Sequence, residues 1–331
     1  MRDGRRRNSV SGPTWSAAET GRGGLRRVIA WPSRGWPDKT HGADGRLHLS
    51  HGPIDLIFDL GGAPEEVAAA EAAAGRAFDG LLEALVAELP LLRSPVGARS
   101  PDPEGAVARR MMRAVRPFAD RFVTPMAAVA GAVADHMLDA IRAEAGVSRA
   151  VINNGGDIAI HLIGAQRYRI GIHDYRQFGR YAGIVEVGAS DGIGGVATSG
   201  WRGRSHSLGI ADAVTVLAAT AAGADAAATL IANAVDLPGS PRVTRRPARD
   251  LSPDSDLGDR LVTVDVAELS PGEIAVALGA GVVRAQDFVA RGLIRAAFLS
   301  LQGQARGVGA GFAAAMRIED DGSKSGGGED R

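Results

Sequence analysis

Asp225 and Thr229 stand four residues apart in the run Ala224–Asn233, whose other residues before Asn233 are alanine, leucine and isoleucine. In a helix that spacing brings a carboxylate and a hydroxyl to one side. A carboxylate in so apolar a helix is costly unless it is paired or bound to a metal. Hard oxygen ligands of this kind suit Mg2+, which takes few protein ligands and completes its shell with water and phosphate. The competing reading makes Asp225 the N-cap of a helix, with Thr229 as packing.

Upstream, Gly192 to Gly209 is crowded with glycines and donors. Arg202 and Arg204 put two fixed positive charges in this loop, beside Thr198, Ser199, Gly200, Ser205 and Ser207. Guanidinium groups bind phosphate or carboxylate oxygens bidentately, so the loop suits an anionic small molecule. The alternative is a solvated loop whose arginines pair with nearby acids. His206 reads equally as a general base, a phosphate donor or a structural histidine.

A second constellation, Asn153-Asn154-Gly155-Gly156-Asp157, lies between two apolar runs, Val151-Ile152 and Ile158-Ala159-Ile160. Asn-Gly is a strong hairpin signal because both residues accept positive φ. Beyond the hairpin, the glycines expose backbone N–H groups to an anion or ring edge, with Asn154 and Asp157 as directional partners.

These residues need elements to carry them. Ile54–Phe58 reads as a strand, Pro64–Leu89 as one long helix ended before Pro90, and 94–105 as a loop. A second helix spans Pro125–Ala145. Strand signals follow at Ala150–Asn153, Ile158–Ile163, Tyr168–His173 and Ile184–Val187. Ala211–Val235 reads as a buried helix, Leu261–Val266 as a strand and Ala285–Leu301 as an amphipathic helix. Strands and helices mix without regular βαβ alternation, which predicts α+β: a largely antiparallel sheet with helices packed on a face. Two small-residue helices, 125–145 and 211–235, each adjoin a glycine motif and hint at an internal duplication.

The chain has 331 residues, 45% hydrophobic, with formal net charge +0 and no cysteine. The charge balance gives no global case for nucleic acid or an anionic membrane. The missing thiols exclude disulfides, thiol nucleophiles and thiolate metal sites. No apolar stretch reaches the roughly 18 residues of a bilayer span. Met1–Arg7 is basic without an apolar core after it, so a cytoplasmic location is expected. Residues 1–46 carry ten Lys or Arg against four Asp or Glu. They read as a disordered basic arm or as a start placed too early, with a nucleic-acid or membrane arm as the sharper alternative. Residues 47–318 are expected to form one domain, and 319–331 a disordered tail.

The order Asn-Gly-Gly-Asp, then Thr-Ser-Gly, then Ala-Asp-Ala-x-x-Thr resembles the ApbE-like superfamily. The stretches His51–Ile57, Thr124–Ala132 and Ala197–Asn233 resemble its uncharacterised (UPF) branch, over roughly residues 50–310. The resemblance implies an ApbE-like, T-fold-like architecture. Its best-known members are flavin transferases, which use Mg2+ and FAD to attach FMN to a threonine of a target protein. Residue by residue it implies a flavin-contacting turn at Asn154–Asp157, a second glycine motif at Ser199-Gly200, and magnesium ligands at Asp225 and Thr229. The transferases carry a His-x-x-(Asp)-Pro-x-(Ser/Thr)-Gly stretch before the magnesium helix. Here it is compressed to Ser205–Asp212 without proline, leaving His206 and Asp212 as the candidate catalytic residues. The expected activity is Mg2+-dependent transfer or hydrolysis at a flavin or nucleotide pyrophosphate. The alternatives are a non-catalytic binder of a flavin or other anion, and an accessory protein. A homo-oligomer is expected from the large sheet.

Overall fold

A computed structural model describes residues 38–42, 45–173, 181–309 and 316–317. Its centre is a nine-stranded, wholly antiparallel sheet in the order β1-β2-β3-β4-β5-β8-β9-β12-β13. The strands are β1 (Asp38–His41), β2 (Leu47–His51), β3 (Ile54–Gly61), β4 (Arg149–Asn154), β5 (Asp157–Leu162), β8 (Gly195–Ser199), β9 (Ala213–Ala218), β12 (Ala296–Leu301) and β13 (Gln304–Val308). A three-stranded sheet holds β6 (Arg167–His173), β7 (Tyr181–Gly188) and β14 (Met316–Arg317). A two-stranded ribbon pairs β10 (Val243–Pro247) with β11 (Leu261–Val266). The α+β expectation is therefore met.

Side-chain alternation decides how the layers stack. In β4, Ala150 and Ile152 join the large core under the helices, while Val151 joins a smaller core on the other face. The same period of two splits Ala159 from Ile158 and Ile160, Ala197 from Val196, and Leu299 from Phe298. Both faces of the central strands are buried, so they read as unbroken apolar runs. The large core takes in α1 (Pro64–Phe78), α4 (Ala106–Val115), α5 (Val129–Glu144), α6 (Ala221–Ala234) and α8 (Pro271–Ala290).

Three expected helices are corrected. The run 64–89 breaks at Asp79-Gly80 into α1 and α2 (Leu81–Ala87), and Glu88 leads into a short α3 (Leu89–Leu92). The block 211–235 is not one helix but β9 followed by α6, with Thr220 between them as N-cap, its hydroxyl accepting the Gly223 N–H at 3.1 Å. The amphipathic helix lies earlier than 285–301: α8 ends at Ala290, and 296–301 is β12, buried on both faces. β1 begins at Asp38, inside the segment expected as a basic arm. Residues 1–37 and 43–44 of that arm, and the tail 319–331, lie outside the described residues. Among the described residues no helix is long and apolar enough to cross a membrane.

Candidate functional site

The β4–β5 hairpin turns at Gly155 and Gly156, whose φ values of +65° and +114° strongly disfavour a side chain. Asn153 Oδ1 accepts the Gly156 N–H at 2.8 Å and closes the turn. Asn154, 5% exposed, donates from Nδ2 to the Ala130 carbonyl at 3.1 Å and so ties the turn to the start of α5. Asp157 follows immediately, at the start of β5, and faces a cleft lined also by the end of β8, the loop after it, and α6.

That cleft consists of two adjoining cavities of about 340 and about 320 Å3. They share Asp157, Ser199, Arg204, Ser205, Asp225 and Thr229, which the sequence had singled out from three separate segments. His206 lines the first cavity; Asn154, Gly155, Thr198, Gly200 and Arg202 line the second. Arg204 lies against the hairpin turn, its guanidinium over Gly155. The first cavity adds an apolar wall from Phe122, Met126, Val129, Leu230 and Leu257, and polar groups from Thr124, Ser252, Ser255 and Asp256. Thr124 donates its hydroxyl to Asp256.

Asp225 sits in the second turn of α6 rather than at its start, so the N-cap reading does not hold for its own helix. Its Oδ2 instead accepts the Gly131 N–H of α5 at 3.0 Å. Burial, reinforced by the neighbouring Asp157 charge, pushes its carboxyl well above the ordinary value. Burial also pushes Asp157 up to about 7, against the pull of the Thr198 N–H and the Arg204 charge. Two carboxyls that resist ionisation side by side form a site that a divalent cation would complete. Among the described residues no trio of His, Cys, Asp or Glu forms a metal site. Asp157, Asp225 and the Thr229 hydroxyl do fit Mg2+, which needs one or two carboxylates and draws its other ligands from water and phosphate.

The pair sets a pH dependence. A carboxyl raised from 3.8 to about 7 costs folding stability that appears as pH climbs from the first value to the second. Without a divalent cation, thermal stability should therefore fall from about pH 4 to about pH 7, and added Mg2+ should restore more of it at the higher pH. Thermal unfolding in EDTA and in Mg2+ across that range reads this directly, and a Mg2+ effect independent of pH would contradict it.

Other candidates are held by partners of their own or lie elsewhere. Asp212, 4% exposed, accepts Arg202 Nε at 2.8 Å and the Gln302 N–H at 2.6 Å. Arg202 also stacks over Trp201, 4.5 Å from the ring centroid. This is the paired-arginine alternative: the couple holds the loop down, and both Asp212 oxygens are engaged away from the cavities. Asp212 itself lines neither cavity of the cleft. Asn153 and Gly156 line a different cavity, of about 410 Å3, on the opposite face of the sheet. Thr198 shares a 2.9 Å hydroxyl hydrogen bond with Thr215.

Sequence reasoning missed Thr124, Asp256 and the Ala130-Gly131 backbone. The last two lay in plain sight within a small-residue helix start, but only the fold shows that Asn154 and Asp225 converge on them. The loop bearing His206 is anchored by Asn233 Oδ1, which accepts the Leu208 N–H at 2.9 Å, and by the Thr263 N–H donating to Ser207 O.

The sequence model of the family described as AbpE bacteria matches residues 38–307. A UPF0280 protein of Methanopyrus kandleri is 41% identical over 136 residues, 39% of this chain and 50% of that protein. A UPF0280 protein of Methanosphaerula palustris is 38% identical over 163 residues, 46% of this chain and 63% of that protein. The chain spans about half to two thirds of the length of these curated relatives. Among solved structures, the flavinyl transferase ApbE of Pseudomonas stutzeri, in its apo form, covers 84% of this chain and 97% of its own at 16% identity, with a TM-score of 0.38.

Proposed function

The chain belongs to the AbpE bacteria family, and from that premise we propose that it binds Mg2+ and the pyrophosphate of a flavin dinucleotide in the cleft, and transfers or hydrolyses at that pyrophosphate. The observation that carries this reading is the convergence of Asp157, Asp225, Thr229 and Arg204 on one cleft. Asp157, Asp225 and Thr229 would hold the cation, whose chemistry is to neutralise phosphate charge and polarise the phosphorus centre. Arg204 and the hydroxyls of Ser199 and Ser205 bind and orient the phosphate oxygens. The wall of Phe122, Met126 and Leu257 takes the flat ring, and Asp256 offers an acceptor for a ring N–H. His206, on the same wall, is our candidate to take the proton from the attacking hydroxyl or water.

The test is isothermal titration with FAD, with and without Mg2+, on the parent protein, Arg204→Ala and Arg202→Ala. Tight binding that needs Mg2+ is expected. Arg204→Ala should weaken it about tenfold or more, the worth of a charge-assisted hydrogen bond. Arg202→Ala should weaken affinity less than Arg204→Ala does and lower the melting temperature, because it strips the buried Asp212 of its cation. No FAD binding under either condition overturns the reading.

A second reading, a binder without chemistry, is favoured by the engagement of Asp212 with Arg202 and Gln302. Mg2+-dependent binding with no loss of FAD on incubation would select it.

A further inference from the structure

Asp135 lies on α5, outside the lining of both cavities, and is 5% exposed. Its Oδ1 accepts the Ala221 N–H at 3.0 Å and its Oδ2 the Ala222 N–H at 2.9 Å. These are the first two amides of α6, the helix that carries Asp225 and Thr229. They are donors that no intrahelical carbonyl can reach. One turn before Asp135 on α5, Gly131 donates its N–H to Asp225 Oδ2, and the Ala130 N–H adds to it. One turn after Ala221 on α6 stands Asp225 itself. The two helices therefore exchange caps: the α5 carboxylate closes the start of α6, and the α6 carboxylate closes the start of α5. Within α5 the N-cap position, Ala128, has no side-chain acceptor to offer.

Nothing cushions this crossing. A Cβ on Gly131 would lie 2.7 Å from the Ala222 nitrogen and closer still to the Ala221 carbonyl, so the two backbones touch. A helix advances 1.5 Å per residue, whereas a hydrogen bond tolerates only about 0.5 Å before weakening. Two bonds to one carboxylate therefore fix the axial position of α6 to well under one residue. That position decides where Asp225 and Thr229 meet Asp157.

We propose that Asp135 is a positioning residue for the cation site, acting through the α6 backbone without touching the cation. It rests on the Mg2+ reading above for its function, though the placement of Asp225 can be read without any cation.

The experiment compares the parent protein, Asp135→Asn and Phe78→Leu, a core change on α1. Mn2+ alone is titrated calorimetrically, and amide hydrogen exchange is followed at Gly131. Asp135→Asn turns an amide NH2 against one of the two donors. It should weaken Mn2+ binding by about tenfold or more, as changes to groups that orient metal ligands do, and speed exchange at Gly131. Phe78→Leu should lower the melting temperature comparably while changing neither. Unaltered Mn2+ affinity in Asp135→Asn overturns the proposal and leaves the cation reading intact. If the parent protein binds no Mn2+, the cation reading fails, and unaltered Gly131 exchange in Asp135→Asn then overturns the positioning role as well.

Discussion

Asp225→Asn should abolish Mg2+ and Mn2+ binding while leaving the fold in place. The substitution removes one of the two carboxylates, Asp157 and Asp225, that line both cavities of the cleft, and a neutral amide oxygen is a poor substitute for a charged ligand of a hard cation. A loss of about a hundredfold or more in affinity is expected on that ground. The amide keeps an oxygen able to accept the Gly131 N–H, so the trans cap on α5 survives. Asp225→Ala removes both functions and should cost about 1–2 kcal/mol more, the usual worth of a helix cap. The pair thus separates the metal role from the cap role: equal loss of cation, unequal loss of melting temperature. A further consequence follows from burial. Above the ordinary carboxylate range and without a cation, burial beside Asp157 costs the parent protein stability that the asparagine does not lose, so Asp225→Asn should melt higher there. Calorimetric titration and thermal unfolding give both readings. Cation affinity preserved in Asp225→Asn would remove Asp225 from the metal site.

The residues of the cleft were legible because chemistry that is expensive to bury stands out in apolar surroundings. Asp225 amid alanines and Asp157 after two glycines both carry that signature. Asp135 carries it too, between Ala134 and His136 in a buried helix, and the same criterion would have flagged it. Its role was not legible, since its partners are backbone amides 86 and 87 residues away. The α+β class and strands β3 to β7 followed from alternation and turn residues. Two of the failures share one cause. β9 and β12 are covered on both faces, so Ala213–Ala218 and Ala296–Leu301 lose the polar half of the alternation and merge with neighbouring helices. Arg202 could not be told from Arg204 in sequence. Two residues apart in one loop, one is spent on buried Asp212 and the other is laid over the hairpin turn.

Gly131→Ala should be among the most damaging single-methyl changes in the protein, and it inverts the usual expectation for glycine in a helix. Replacing a helical glycine by alanine ordinarily gains about 1 kcal/mol from backbone entropy and propensity. At Gly75 in α1, where nothing lies within 4 Å of the added carbon, that gain should appear as a higher melting temperature. At Gly131 the added carbon meets the backbone of Ala221 and Ala222, which cannot rotate away as a side chain would. Relief requires α5 and α6 to part by about 1 Å. Overpacking of this kind costs about 1–3 kcal/mol, and here it also breaks hydrogen bonds worth about 1 kcal/mol each. The loss outweighs the propensity gain, so Gly131→Ala should lower the melting temperature by several degrees, at about 2–4 °C per kcal/mol for a chain of this size. Because the same displacement carries Asp225 away from Asp157, cation affinity should fall with it. Gly75→Ala should leave cation affinity untouched. If Gly131→Ala stabilised the protein as Gly75→Ala does, the two helix backbones would not be in contact, and the reciprocal capping of α5 and α6 would have to be abandoned with that contact.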